Sequence, residues 1–217
     1  MFATHLFDGA SGAGAYQDNV MEIDWSVGEI REALAEAGLA DSTLVFFSSD
    51  NGPYLERLEE GGSSGGLRGG KGQTWEGGIR VPSGIVWPEV IPPGTVVSQP
   101  VSQMDLVPTV LDILGDSWAD REPVLDGVSI LGTLKTGADS PHMDRVMFHY
   151  CGEDVTSARL GFLKVHFRTP VWDADSDVEA CPSLLVCHCR GPHTVDHSPP
   201  LLYDLASDPQ ERTPVGT

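Results

Sequence analysis

The stretch Ser42-Thr-Leu-Val-Phe-Phe-Ser-Ser49, followed at once by Asp50-Asn51-Gly52, decides the fold class. It is a short apolar run rich in β-formers, of the kind that makes a strand buried on both faces. Upstream, Val20, Ile23, Val27, Ile30 and Leu34 recur three or four residues apart with acidic residues between them, so Tyr16 to Ala37 is predicted to be helical. Gly38 supplies the stop. A helix leading into a buried strand predicts an α/β layer with parallel strands. Ligand sites in such sheets gather at the carboxyl ends of strands, which is where Asp50-Asn51-Gly52 falls.

Downstream, Gly61 to Gly78 is a glycine-dense loop carrying Arg68, Lys71, Trp75 and Glu76. Arg80-Val-Pro-Ser-Gly-Ile-Val-Trp87 predicts a strand entered through a turn. Asp105 is the expected cap of a helix from Leu106 to Leu114, ended by Gly115, with Pro108 tolerated in its first turn. Beyond about residue 140 the pattern changes to short strands at Arg145–Tyr150, Gly161–Arg168 and Pro200–Leu205, separated by polar stretches. The expected organisation is an α/β portion over residues 1–140 and a small antiparallel β subdomain over residues 141–217.

With 13 basic against 32 acidic residues, the formal net charge is -19. A nucleic-acid partner is excluded on that balance, because neutralising phosphates takes clustered Lys and Arg. General attraction to anionic membranes is disfavoured for the same reason. An acidic protein that handles an anionic substrate needs positive charge concentrated locally, as a metal ion or a few placed cations. No segment approaches the roughly 18–20 apolar residues that cross a bilayer. Met1 to Leu6 carries neither the basic start nor the apolar run of a secretory leader. The cysteines, Cys151, Cys181, Cys187 and Cys189, cluster in a loop-rich region. Their even number there points to disulfides and an oxidising compartment, with three pairings open. Disulfides without a leader are in tension, which a fragment lacking its amino-terminal part resolves.

Asp50 and Asn51 offer two adjacent hard oxygen donors on a strand end, suited to Ca²⁺ or Mg²⁺, although Asp-Asn-Gly by itself is also an ordinary turn. The loop Gly65-Gly-Leu-Arg-Gly-Gly-Lys71 approaches the phosphate-cradling pattern but has Gly72 where a nucleotide loop needs a hydroxyl for magnesium. It suits a tetrahedral oxyanion instead, since glycines permit close approach and the Lys71 ammonium is a compact point charge. Of seven histidines none forms a helical metal pair, and His149, in an apolar strand, is read as buried and hydrogen-bonded. Asp204 and Asp208 are read as turn formers. Neither a Gly-x-Ser-x-Gly elbow nor an HExxH pair occurs.

Taken in order, Phe46-Phe-Ser-Ser-Asp-Asn-Gly-Pro53, Arg68-Gly-Gly-Lys71, Trp75-Glu-Gly-Gly-Ile-Arg-Val-Pro82, Gln103-Met-Asp-Leu-Val-Pro-Thr109 and Leu202-Tyr-Asp-Leu-Ala-Ser-Asp-Pro209 closely resemble the sulfatase family. The resemblance runs from about Tyr16 to Pro214, and Phe148-His-Tyr-Cys151 with the other cysteines, like Asp24-Trp-Ser-Val-Gly28, resembles the steroid sulfatase and arylsulfatase E branch. It implies an alkaline-phosphatase-like α/β fold, a bound Ca²⁺ and a formylglycine nucleophile made from a cysteine. Matched residue by residue, it implies Asp50 and Asn51 as calcium ligands, Lys71 as the catalytic contact to sulfate, and Cys151–Cys189 and Cys181–Cys187 bridges. His5 lies near the position of a family catalytic histidine and is carried as a weak candidate, because the better local match sets that histidine opposite Ala3.

The family's nucleophile sits in a Cys-x-Pro-x-Arg motif that this chain lacks. The resemblance therefore implies the carboxyl-terminal part of a calcium-dependent sulfuric ester hydrolase, acting on a sulfate-ester substrate. The parent protein is expected in the secretory pathway, in the endoplasmic reticulum lumen, the lysosome or outside the cell. A membrane tether and the oligomeric state of the parent stay open. The isolated chain is expected to be inactive. The absent motif also suits a second class, a truncated, non-catalytic sulfatase-like protein that acts as a binding partner. A phosphohydrolase or phosphonate hydrolase shares the superfold, and fold alone does not fix chemistry.

Overall fold

The computed structural model describes residues 3–116, 124–139, 144–171, 189 and 193–216. Helix α1 (Ala15–Glu36) forms where the 3.6-residue periodicity predicts it, and Gly38 ends it in a left-handed conformation at φ 68°. The preceding turns are tied to it by Asp18, whose carboxylate accepts from the Gly9 and Ser11 amides and the Ser11 hydroxyl. Its apolar stripe is not covered within this chain: Ile23 is 51% and Ile30 57% exposed.

Strand β1 (Val45–Ser48) leads into the Asp50-Asn51-Gly52 tip as expected, but its partner differs from expectation. It pairs antiparallel with β2 (Ser83–Val86), Ser48 opposite Ser83 and Val45 opposite Val86. A parallel pair needs a crossover that returns the chain to the start of the first strand. Here the connection returns only to its end, where Pro82 accepts from the Ser49 amide, so the chain runs back the way it came. Nor is β1 buried on both faces, since Phe47 remains 45% exposed and, among the described residues, β2 is its one partner strand. Between the strands lie a 3₁₀ segment (Leu55–Glu60), the glycine-dense loop and the short helix α2 (Glu76–Ile79).

Helix α3 (Leu106–Ile113) matches the expected segment, but the Asp105 side chain makes no capping bond to it. A 3₁₀ turn (Gln103–Asp105) comes first, and Ser102 and Asp105 cap that turn reciprocally. This leaves the Asp105 carboxylate free to accept from the Val128 amide and to take Arg145 as a two-toothed ion pair at 2.5 and 3.0 Å. Helix α4 (Leu131–Thr136) follows.

The carboxyl-terminal part is an antiparallel sheet of β3 (Val146–Cys151), β4 (Asp154–Leu160), β5 (Leu163–Pro170) and β6 (Thr194–Asp204), in that order. Sequence periodicity missed β4, because the buried run Thr156-Ser157-Ala158 at its centre is made of small residues, two of them polar. The register aligns Met147, Arg159, Lys164 and Tyr203 across the strands, and likewise His149, Ser157, His166 and Leu201. Directly opposed residues point to the same face, so one face of this sheet is largely polar. It packs against Trp75, whose ring lies 4.2 Å from that of His166 and 5.9 Å from that of Tyr203. A disulfide joins Cys151 to Cys189. Cys181 and Cys187 lie outside the described residues.

Candidate metal and sulfate site

Two distant segments meet at the tip of β1. The Gly52 amide donates to the Gly78 carbonyl at 3.1 Å, and the Lys71 amide donates to the Pro53 carbonyl at 2.8 Å. The glycines in this region are required by backbone packed on backbone. A Cβ on Gly52 would fall 1.8 Å from the Gly77 oxygen, one on Gly70 2.5 Å from the Pro53 oxygen, and one on Gly77 2.2 Å from the Gly69 oxygen. The loop is thus a packed element rather than a slack surface excursion.

Asp50 is exposed, while Asn51 and Lys71 are half-buried. Among the described residues none of the three side chains makes a hydrogen bond or ion pair, so their oxygens and ammonium are available to a ligand. The tip itself is braced. Ser49 Oγ donates to the Asn51 carbonyl at 2.9 Å, and Gln103 Nε2 donates to the Ser49 carbonyl at 2.5 Å. His5 is exposed, in a turn that packs on α1 through a Thr4 amide bond to Glu22 and a Phe7–Trp25 ring contact. No hydrogen bond links it to Asp50, Asn51 or Lys71 among the described residues.

As hard oxygen donors, Asp50 and Asn51 suit a Ca²⁺ ion, which takes 6–8 such ligands. Among the described residues, no three of His, Cys, Asp and Glu converge on a metal position. The pair therefore fits calcium as part of a shell and not as the whole of it.

Behind the loop lies a cluster that sequence reasoning did not find. Lys164 Nζ sits 2.9 Å from Glu76 Oε1 and 3.1 Å from Glu211 Oε1, with all three side chains shut off from solvent. Arg159 adds a contact to Glu76 Oε2 at 3.1 Å. His166 Nε2 lies 2.6 Å from Glu211 Oε1, and Glu211 Oε2 accepts from the Glu76 amide at 2.6 Å. Arg68 lies 3.9 Å over the Trp75 ring and donates to the Glu211 carbonyl. Burial pushes His166 below the usual histidine range despite its hydrogen bond to Glu211. Nε2–H then donates, and Glu211 is the carboxylate acceptor. Burial opposes charge on Glu211, but the His166 hydrogen bond and the Lys164 ammonium outweigh it and hold the carboxyl below its ordinary range. Lys164 and Arg159 thus balance Glu76 and Glu211, which is how such charges survive burial.

His149 is pushed down to about 3, first by burial and then by Lys164, His166 and Arg159, so it is neutral. Its Nε2 is buried without a partner among the described residues, in contrast to the hydrogen-bonded histidine expected there. Asp204 and Asp208 do form turns, accepting from the Ala206 amide and from the Arg212 and Thr213 amides respectively.

Residues 5–116 match the sulfatase family model, and residues 141–217 match that of the C-terminal region of aryl-sulfatase. The chain belongs to the sulfatase family. It is 42% identical to the steryl-sulfatase of Mus musculus, over 99% of this chain and 35% of that protein. It is 39% identical to arylsulfatase D of Homo sapiens, over 99% of this chain and 38% of that protein. Its structure superposes on the crystal structure of the PsFucS1 sulfatase from Pseudoalteromonas sp. with a TM-score of 0.81 at 29% identity, covering 97% of this chain and 40% of that one. The fold is the alkaline-phosphatase-like fold of sulfatases, held here in part, and the chain spans well under half the length of these relatives.

Proposed function

We propose that the whole protein hydrolyses sulfate esters with calcium, and that this chain supplies Asp50 and Asn51 as metal ligands and Lys71 as the sulfate contact. The observation that carries this is the Lys71 amide bonded to the Pro53 carbonyl, two residues beyond the Asn51 ligand. It packs the backbone of the glycine loop that carries Lys71 against the strand end that carries Asp50 and Asn51.

Bound calcium would supply positive charge that neutralises the sulfate and orients the formylglycine nucleophile carried elsewhere in the protein. Asp50 would contribute charge and Asn51 a neutral oxygen to its shell. Lys71 would donate from its ammonium to a sulfate oxygen, stabilising charge that builds on the transferring group. The Ser49 and Gln103 hydrogen bonds would keep the two ligands from turning away. The family's names support a sulfate ester as substrate, since relatives on either side are called steryl-sulfatase and arylsulfatase. The Cys151–Cys189 bridge supports an oxidising, secretory-pathway setting. Among the described residues no helix is long and apolar enough to cross a membrane, and a tether elsewhere in the parent is compatible with this.

An aryl sulfate assay tests the assignment. The whole protein should turn over and lose activity on calcium chelation, while residues 1–217 by themselves should not. Turnover by the isolated chain, or preference for a phosphate ester by the whole protein, would refute it. If no Cys-x-Pro-x-Arg segment lies in frame upstream, the second reading, a non-catalytic sulfatase-like binding partner, takes its place.

A further inference from the structure

We propose that Glu76 is a positioning residue through which the carboxyl-terminal sheet sets the spacing between the metal ligands and the sulfate-binding lysine. The proposal rests on the site reading above. Glu76 is gripped at both ends, its amide by Glu211 Oε2 at 2.6 Å and its carboxylate by Lys164 and Arg159. One residue on, the Gly77 amide donates to the Arg68 carbonyl at 2.7 Å, three residues before Lys71. Two residues on, the Gly78 carbonyl accepts from Gly52, the residue after Asn51. The Lys71 amide closes the circuit on Pro53. Three consecutive residues thus hold the anchor, the loop and the strand tip, so a shift of Glu76 moves Lys71 relative to Asp50 and Asn51.

A buried ion cluster is a weak device for stability alone, because apolar side chains of similar volume fold as well. What charges with fixed hydrogen bonds add is direction. Each Glu76 and Glu211 oxygen has an assigned donor, and both cations come from β4 and β5 of the sheet. Placement within a fraction of an ångström is what catalytic groups require.

The test uses the whole protein with Lys164→Met, with Lys164→Arg as the conservative variant, and with Glu76→Gln, which keeps shape and loses only charge. Measured against β4 and β5, amide exchange at residues 51–52 and 68–78 should speed about tenfold in Lys164→Met and Glu76→Gln, beyond any loss of global stability. For an aryl sulfate, kcat should fall by about tenfold or more with a smaller change in KM, and Lys164→Arg should recover part of it. Exchange at residues 51–52 and 68–78 that changes no more than in β4 and β5 would overturn the proposal, as would a kcat loss equal to the loss of folded protein. Should Lys164→Met fail to fold, Glu76→Gln carries the same readouts. A wild-type protein without turnover sinks the sulfatase reading alone, and the exchange pattern then decides the positioning role.

Discussion

The ammonium of Lys164 stands between two carboxylates, 2.9 Å from Glu76 and 3.1 Å from Glu211, with no solvent reaching any of the three. One cation therefore serves two anions that are 135 residues apart in the chain. Removing it strands buried negative charge. Lys164→Met is expected to cost about 3–5 kcal/mol, the usual penalty for breaking a buried pair from one side. Adding Glu211→Gln restores the charge balance and should recover part of the loss, giving a non-additive double-mutant cycle in denaturant unfolding. Strict additivity would argue against the shared-cation geometry.

A methyl group at position 52 has nowhere to go, with the Gly77 oxygen 1.8 Å from the ideal Cβ position. Gly52→Ala should therefore separate the strand tip from α2, lowering stability by about 1–3 kcal/mol through overpacking. Gly84→Ala, where nothing lies within 4 Å, is the control and should be nearly neutral. Equal midpoints for the two variants in urea would contradict the close backbone approach.

Acid should weaken the fold. His149 and His166 are held below the usual histidine range, and Glu211 below the carboxyl range. In each case the unfolded chain takes up protons that the folded chain refuses. Stability is then complete above about pH 6.5, the unfolded histidine value, and declines as pH falls toward the folded values, about 3 for His149. The limiting slope is about 1.4 kcal/mol per pH unit for each group. Melting temperatures at pH 7.5 and 5.5 measure this, and His149→Phe should shallow the decline. A midpoint that holds or climbs on acidification would be the contrary result.

Lys71→Ala should lower kcat/KM for an aryl sulfate by about a hundredfold or more in the whole protein, in the range for losing one preorganised donor. Asp50→Asn should instead raise the calcium concentration needed for half-maximal activity. A Lys71 variant with ordinary turnover would remove it from the site.

The local elements were legible from residue order alone. The helical spacing of Val20 to Leu34, the β-rich run ending at Ser49 and the glycine-loop lysine each depend on neighbours within a few residues. The proposal of Asp50, Asn51 and Lys71 as site residues likewise rests on the family resemblance, because residue types and their spacing are written along the chain. What the tertiary structure decided is which distant pieces meet. The antiparallel pairing of β1 with β2 depends on where the chain re-enters after Pro82. Of three possible cysteine pairings, the described residues show Cys151 bonded to Cys189. The cluster of Glu76, Lys164, His166 and Glu211 joins residues 45 to 135 positions apart. Single charged residues in strands and turns read as solvated faces. Only packing removes the water and turns four such side chains into one network, because the energy of a charge is set by its surroundings in space and not by its neighbours in sequence.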